Sequence, residues 1–130
     1  MSLGQNTKPR ALVVEDEPAI CGMYKMKLKA SGFDVDTAEN GEIGLLKCQE
    51  FSPDIILLDI RMPVMGGDEM LERLRQTEWG ASVRVIILTN ISRDEAPHNL
   101  RLLNVDRYIV KAHHTPSQVL EIVNEILGIK

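Results

Sequence analysis

The most constraining feature of the sequence is the run Ile55–Leu58, four apolar residues followed at once by Asp59. The run is too short for a helix and lacks period-two alternation, so it predicts a strand covered on both faces, in the middle of a parallel sheet. Pro63 and the pair Gly66–Gly67 then stop regular structure and force an irregular connection. Asp59 is therefore predicted at the carboxyl end of a central strand, the edge at which open parallel sheets bind ligands.

Four other runs predict further strands. They are short and lie between polar residues, proline or glycine, as strands of a small sheet do. One of them alternates apolar and polar residues, which is typical of a half-exposed edge strand. Together with Ile55–Leu58 they make five predicted strands, the others being Arg10–Val14, the alternating Phe33–Ala38, Val83–Leu88 and Arg107–Val110.

Five segments with helical periodicity alternate with these strands. The last is the best defined, because Thr115–Gln118 forms a capping box with a proline at the first helical position. The fourth is the weakest, because Ser92–Glu95 has the form of a capping box but Pro97 lies too deep behind it. We expect a short fourth helix of low rigidity, from about Pro97 to Leu103. The other three helices are predicted after Pro18, Asn40 and Gly67 and end near Ser31, Phe51 and Thr77.

The regular alternation of strands and helices predicts an α/β domain with a parallel sheet and right-handed crossovers. The chain has 130 residues, of which 44% are hydrophobic and 26% charged, which suits one globular domain. We expect residues 1–8 to be a disordered lead-in and residues 9–130 to form the domain. Cys21 and Cys48 fall within predicted helices without zinc-site spacing and are expected to be buried, reduced thiols.

Residues able to do chemistry follow four of the predicted strands, namely Glu15 and Asp16, Asp59, Thr89, and Lys111. If these strands are neighbours in the sheet, the groups meet in one crevice. Three crowded carboxylates repel one another unless a cation offsets them, and Mg²⁺, which prefers oxygen ligands, suits such a cluster. An ammonium and a hydroxyl opposite the metal are suitable partners for phosphoryl oxygens. The residues therefore predict a small phosphoryl-transfer site.

This ordered set of motifs resembles the receiver domain of two-component response regulators, the CheY-like family, over almost the whole chain. The resemblance implies a flavodoxin-like, three-layer sandwich in which five helices flank a five-stranded parallel sheet of order 2-1-3-4-5. A pair of acids alone would be a weak signal, so the resemblance rests on four motifs taken together, Leu12–Glu17, Asp59–Gly67, Ile86–Thr89 and Tyr108–Lys111.

The resemblance implies an acceptor and a metal site. Asp59 would be the nucleophile that takes a phosphoryl group from the phosphohistidine of a partner kinase and becomes an aspartyl phosphate. Glu15 and Asp16 would hold Mg²⁺ together with Asp59 and the backbone carbonyl of Arg61.

Three further roles follow from the same resemblance. Lys111 would pair with the phosphoryl group, Thr89 would hydrogen-bond it, and Tyr108 would turn inward with Thr89. The domain would then be a two-state signalling switch that promotes only its own phosphorylation and dephosphorylation. The face made by the fourth strand, fourth helix, fifth strand and fifth helix would report the phosphorylation.

The implied partners are proteins. A sensor histidine kinase or phosphotransfer protein would donate the phosphoryl group, and an output domain or downstream protein would contact the reporting face. The resemblance implies a cytoplasmic protein that is a monomer or weak dimer. A net charge of -4 gives no reason to expect direct binding to nucleic acid or to an anionic membrane. No apolar run approaches the ~18 residues of a membrane span.

Some residues depart from the family pattern. Ala112 follows Lys111 where the family usually has a proline in a cis peptide. A cis peptide bond before a residue other than proline costs about 2.5 to 4 kcal/mol. We therefore expect a trans bond between Lys111 and Ala112, which re-aims the side chain of Lys111. Asn90 follows Thr89 where the family favours a small residue, so its amide would narrow the mouth of the site or add a phosphate contact. The pair His113–His114 is expected to be solvated.

Two alternative functions stand beside the phosphoacceptor. The first is a pseudo-receiver, a constitutive interaction module that keeps the fold without using the site, and the complete set of site residues argues against it. The second is a flavodoxin-like nucleotide or flavin binder. That function needs a phosphate-cradling loop after the first strand, where this chain has the acidic Glu15–Glu17.

Overall fold

A computed structural model describes residues 7–129. It contains a five-stranded sheet, parallel throughout, in the order β2-β1-β3-β4-β5. The predicted strand order and the parallel sheet are therefore confirmed. The strands are β1 Arg10–Val14, β2 Asp34–Ala38, β3 Ile55–Leu58, β4 Arg84–Thr89 and β5 Arg107–Val110.

The four α-helices begin where the local sequence favours it. Pro18 is at the start of the first helix, where its missing N–H costs nothing. The side chain of Asn40 accepts a hydrogen bond from the amide of Ile43 at 2.9 Å, and Thr115 forms the predicted capping box with Gln118. The helices are α1 Pro18–Ala30, α2 Gly41–Phe51, α3 Gly67–Arg75 and α4 Pro116–Leu127.

The predicted fourth helix of the five is not an α-helix. Two short 3-10 helices, Arg93–Glu95 and His98–Leu102, connect β4 to β5 instead. Ala96 and Pro97 between them have extended ψ values of 149° and 133°, because Pro97 lacks an N–H and disfavours a helical conformation in the residue before it. The predicted start near Pro97 and end near Leu103 are confirmed, but the segment is 3-10, and residues 7–129 contain four α-helices.

The core lies on both faces of the sheet. Ile56 and Leu58 of β3 pack in one apolar cluster with residues of α2 and α3, while Ile55 and Leu57 pack in a second cluster with residues of α1 and α4. All four side chains are at most 2% exposed, and each contributes about 1.5 to 3 kcal/mol through burial. The prediction that this run is covered on both faces is confirmed, and the fold is the three-layer sandwich that the motifs implied.

Arg75 at the end of α3 holds two loops together. Its guanidinium donates hydrogen bonds to four backbone carbonyl oxygens, those of Leu103 at 2.8 Å, Asn104 at 2.9 Å, Gly80 at 3.0 Å and Val83 at 2.8 Å. Partial burial lowers the pKa of Arg75, and the nearby charge of Asp106 opposes that shift. The side chain thus joins the end of the 3-10 segment to the loop that enters β4.

Both cysteines are free thiols. Cys48 is buried as expected, and burial raises the pKa of its thiol to about 12, whereas Cys21 is only half-buried. No helix within residues 7–129 is long and apolar enough to span a membrane. Residues 1–6 of the predicted lead-in lie outside the described residues.

Candidate functional site

The sheet places the predicted site residues at one edge. Asp59 follows β3, and its neighbours in the sheet are β1, which Glu15 follows, and β4, which ends in Thr89. Two backbone hydrogen bonds continue the sheet past the strand ends. The amide of Glu15 donates to the carbonyl oxygen of Ala38 at 2.9 Å, and the amide of Asp59 donates to the carbonyl oxygen of Val14 at 3.1 Å. The sheet itself thereby fixes the backbone of both residues.

Glu15, Asp16 and Asp59 form an acidic cluster. One carboxylate oxygen from each lies within 4.8 Å of the others. Glu15 is 5% and Asp59 8% exposed, and Asp16 is half-buried on the open side. The predicted convergence of three acids from two strand ends is therefore present.

Lys111 reaches into this cluster from the end of β5. Its ammonium nitrogen lies 2.5 Å from an oxygen of Glu15 and 3.1 Å from Oδ2 of Asp59, and its side chain is 11% exposed. One ammonium against three carboxylates leaves a net charge of two negative units. The donor set and the uncompensated charge fit a hard divalent cation.

The orientation of Asp59 is set by contacts to both of its oxygens. Oδ1 accepts a hydrogen bond from the amide of Ile60 at 2.7 Å, and Oδ2 accepts the one from Lys111. The loop then folds back, with the amide of Gly67 donating to the carbonyl of Ile60 at 2.8 Å. A Cβ at Gly67 would lie 2.0 Å from the carbonyl oxygen of Asp59, so only glycine fits there.

The charges of the cluster shift its pKa values in opposing ways. Burial raises the pKa of Glu15, and the charge of Asp59 adds to this, while the hydrogen bond from Lys111 lowers it. For Lys111, burial lowers the pKa, but the hydrogen bond to Glu15 and the charges of both acids outweigh burial, so the pKa is raised above 10.5. Lys111 is therefore a fixed positive charge at neutral pH.

A pH dependence of stability follows from Lys111. Because its pKa is higher in the folded protein than in the unfolded chain, its stabilisation is fully present below about pH 10.5 and is lost as pH rises through the folded value. We expect Lys111→Met to lower the free energy of unfolding by about 2 kcal/mol at pH 7. Urea denaturation of parent and variant at pH 7, 9 and 11.5 measures the difference, which should shrink only at the highest pH. A difference that already vanishes by pH 9 contradicts the raised pKa.

Thr89 lies on the same opening as Asp59. Both line a cavity of about 300 Å³ together with Asp16 and Arg61. Thr89 is 1% exposed, and its hydroxyl accepts a long hydrogen bond of 3.5 Å from the amide of Ile91. Among the described residues none donates a hydrogen bond to the carbonyl oxygen of Arg61, so no protein donor competes with a cation for that oxygen.

Tyr108 lies beside the site and does not touch its acids. Its hydroxyl donates to the carbonyl of Ile91 at 2.7 Å, and the guanidinium of Arg93 lies 5.8 Å from the centre of its ring. Burial raises the pKa of Tyr108, while the charge of Arg93 lowers it. The phenol thus holds the chain two residues beyond Thr89.

The residues that depart from the family pattern leave the site intact. No cis peptide bond occurs within residues 7–129, so the expected trans bond at Ala112 is confirmed. Lys111 nevertheless reaches both acids, from the start of a short 3-10 turn. Asn90 lies on the rim of the cavity, as predicted. His113 is exposed, but His114 is half-buried, and its Nδ1 has no hydrogen-bond partner in the described part of the chain, so the prediction of a solvated pair is wrong for His114.

Glu95 is a site-lining residue that the sequence did not reveal. It lies on the same cavity as Asp16 and Asp59, and its carboxylate accepts a hydrogen bond from the hydroxyl of Ser92 at 3.0 Å. In the sequence, these two residues form the pattern of a helix start. That pattern hid the position of Glu95 at the mouth of the site.

Comparison with known proteins agrees with this geometry. The sequence profile of the response regulator receiver domain matches residues 11–124. The chain is 37% identical over 110 residues to the phosphate regulon transcriptional regulatory protein PhoB of Rhizobium meliloti, covering 83% of this chain and 48% of that protein. It is 34% identical to the hybrid signal transduction histidine kinase D of Dictyostelium discoideum, covering 92% of this chain and 8% of that protein. The chain thus spans about half or less of these relatives.

Solved structures share the whole fold. The chemotaxis response regulator CheY4 of Vibrio cholerae superposes with a TM-score of 0.83 at 27% identity, over 92% of this chain and 99% of that one. The response regulator TrrA of Thermotoga maritima, solved in complex with Mg²⁺ and BeF, has a TM-score of 0.78 at 33% identity, over 90% of this chain and 97% of that one.

Proposed function

This chain belongs to the response regulator receiver domain family of two-component signalling, and from that premise we propose that Asp59 is its phosphoacceptor. The observation that carries the proposal is the placement of Lys111, whose ammonium contacts both Glu15 and Asp59 at the edge where the strands end. A lysine held there can bind the transferred phosphoryl group, because its ammonium can exchange a carboxylate oxygen for a phosphoryl oxygen without leaving the site.

The chemistry needs position and charge compensation. An oxygen of Asp59 attacks the phosphorus of a phosphohistidine, an O–P bond forms as the P–N bond breaks, and the electron pair leaves with the imidazole nitrogen. Ile60 keeps Asp59 oriented through its amide. Lys111 and the hydroxyl of Thr89 stabilise the charge on the phosphoryl oxygens.

Glu15, Asp16, Asp59 and the carbonyl oxygen of Arg61 would hold Mg²⁺. When bound, the ion supplies positive charge to the phosphoryl oxygens and offsets the repulsion among the carboxylates. The relative from Thermotoga maritima, solved with Mg²⁺ and BeF, supports this choice of ion.

Phosphorylation would act as a switch through Thr89 and Tyr108. A phosphoryl group on Asp59 draws the hydroxyl of Thr89, and the amide of Ile91 that contacts this hydroxyl moves with it. Because the phenol of Tyr108 is bonded to the carbonyl of Ile91, its ring follows. The change would reach an output domain or downstream protein through β5, the 3-10 segment and α4. The relative from Rhizobium meliloti, which is named as a transcriptional regulatory protein, supports such an output partner.

The outer face of α1 supports docking of a sensor histidine kinase or phosphotransfer protein. A surface helix normally carries polar residues on its outer face. On α1 that face holds Ala19, Met23, Met26 and Ala30, with Met23 41% and Met26 74% exposed. The helix starts three residues after Glu15, so a partner helix lying along it would reach the site. We place this encounter in the cytoplasm, with the receiver as a monomer or weak dimer.

We expect Met26→Lys to slow phosphoryl transfer from a histidine kinase that phosphorylates the parent, by about tenfold, because it puts a charge into the apolar contact. Phosphorylation by acetyl phosphate should be unchanged. Leu46→Lys is the matched control, since Leu46 is also apolar and 59% exposed, on α2. Equal rates for all three proteins with the kinase would exclude the outer face of α1 as the docking surface.

The acceptor is tested by intact-mass analysis after incubation with Mg²⁺ and acetyl phosphate. We expect the parent to gain one phosphoryl group and Asp59→Asn to gain none. Omitting Mg²⁺ should abolish the gain in the parent, because the carboxylates then repel the donor. A parent that stays unmodified while its melting temperature responds to Mg²⁺ would identify a pseudo-receiver instead. A yellow purified protein would favour the flavin-binding alternative.

A further inference from the structure

We propose that the cavity between the 3-10 segment and β5 binds a small phosphate-bearing molecule with a planar apolar body, of the class of nucleoside monophosphates. The cavity has a volume of about 500 Å³, within the range of small-molecule sites. Its lining contains none of the acids around Asp59, so it is a separate site.

The charge of the cavity selects an anion. Three arginines line it, Arg93, Arg101 and Arg107, although the whole chain has a net charge of -4. The described residues give Arg101 no ion pair or hydrogen bond. Arg107 pairs with Glu125 at 2.8 Å, but both side chains are about half or more exposed, so the pair is weak and can be exchanged for a ligand.

The two carboxylates that line the cavity do not cancel this charge. Asp106 is already engaged, since it accepts hydrogen bonds from the amide of Val85 at 2.9 Å and from Arg84 at 3.2 Å. Among the residues that line the cavity, Asp94 is the one other carboxylate beside the three arginines. Guanidinium groups bind phosphate oxygens through paired hydrogen bonds, so a phosphate is the anion that this arrangement fits.

The rest of the lining suits a flat apolar body. Pro97, Leu100, Val105 and the ring of Tyr108 form an apolar part of the wall, and Leu100 is 6% exposed. The guanidinium of Arg93 stands over the tyrosine ring, at 5.8 Å from its centre. A planar base stacks favourably on a guanidinium surface such as that of Arg93, while Arg101 and Arg107 bind its phosphate.

Isothermal titration of the full chain with adenosine or guanosine monophosphate tests the proposal. The titration is done without Mg²⁺ or a phosphodonor, so its outcome does not depend on phosphorylation of Asp59. We expect saturable binding of one molecule with a Kd tighter than about 1 mM. Inorganic phosphate alone and adenosine alone should each bind at least about tenfold more weakly, since each offers one of the two contacts.

Arg101→Glu should weaken nucleotide binding by about tenfold or more. Arg101 is exposed and makes no ion pair or hydrogen bond with residues 7–129, so the variant should fold. Lys29→Glu makes the same change of charge at an exposed position on α1 and should bind as the parent does. The proposal is overturned if neither nucleotide binds saturably or if inorganic phosphate binds as tightly as the nucleotides. It is also overturned if Arg101→Glu and Lys29→Glu bind the nucleotide with the same Kd.

Discussion

Replacing Arg75 by methionine is expected to lower the free energy of unfolding by about 4 kcal/mol. The methionine keeps the apolar stem of the arginine but removes the donors to four carbonyl oxygens, in the loop that enters β4 and at the end of the 3-10 segment. Hydrogen bonds from a charged donor contribute about 1.5 to 3 kcal/mol each, and water replaces part of this at carbonyls near the surface. Chemical denaturation monitored by circular dichroism measures the loss.

Arg73→Met is the matched control for this prediction. Arg73 lies two residues away on the same helix and makes one ion pair, with Glu69 at 2.9 Å, in which the two side chains are 58% and 49% exposed. A pair of this kind contributes only about 0.3 to 0.5 kcal/mol. If the two variants are destabilised equally, the four carbonyl contacts of Arg75 contribute no more to stability than the exposed ion pair of Arg73.

Gly67→Ala is expected to cost about 3 kcal/mol of stability and to abolish most phosphorylation by acetyl phosphate. The added Cβ would lie 2.0 Å from the carbonyl oxygen of Asp59 and 3.0 Å from the side chain of Leu58. The first contact is with backbone, which cannot turn away as a side chain does, so the loop that carries the acceptor must move. Denaturation and intact-mass analysis measure the two effects on the same preparation.

Gly22→Ala is the matched control for Gly67→Ala, and we expect it to raise stability where Gly67→Ala lowers it. Gly22 is inside α1, and a Cβ there would meet nothing within 4 Å. Alanine should therefore raise stability by about 0.5 to 1 kcal/mol through helix propensity and leave phosphorylation unchanged. A Gly67→Ala protein that is as stable and as readily phosphorylated as Gly22→Ala would show that the turn after Asp59 tolerates a side chain.

Local signals in the sequence were enough to predict the sheet and most of the site. The apolar run Ile55–Leu58 and the polar residues at four strand ends required only that neighbouring parallel strands share an edge. Lys111 was predicted in the same way, and the structure brings it to Glu15 and Asp59 although 96 residues separate it from Glu15.

Other features depend on contacts that no local pattern encodes. Arg75 resembles any exposed helical arginine until the chain brings four carbonyls around it from residues up to 29 positions away. Glu95 was hidden by a capping pattern that Pro97 makes unusable. The 3-10 form of the fourth helical segment follows from that same proline, and only its location could be predicted.

The conformation of residues 92–104 also has a consequence for hydrogen exchange. These residues are held by a few hydrogen bonds three positions apart, such as those from Leu100 to Pro97 and from Leu103 to Leu100, each 3.2 Å long, in place of a continuous α-helical ladder. Their amides can exchange by local opening, whereas those of β3 are exposed only when the whole domain unfolds. The protein therefore combines a slowly exchanging sheet with one fast-exchanging span, whose first residue, Ser92, accepts a long hydrogen bond of 3.4 Å from the phenol of Tyr108.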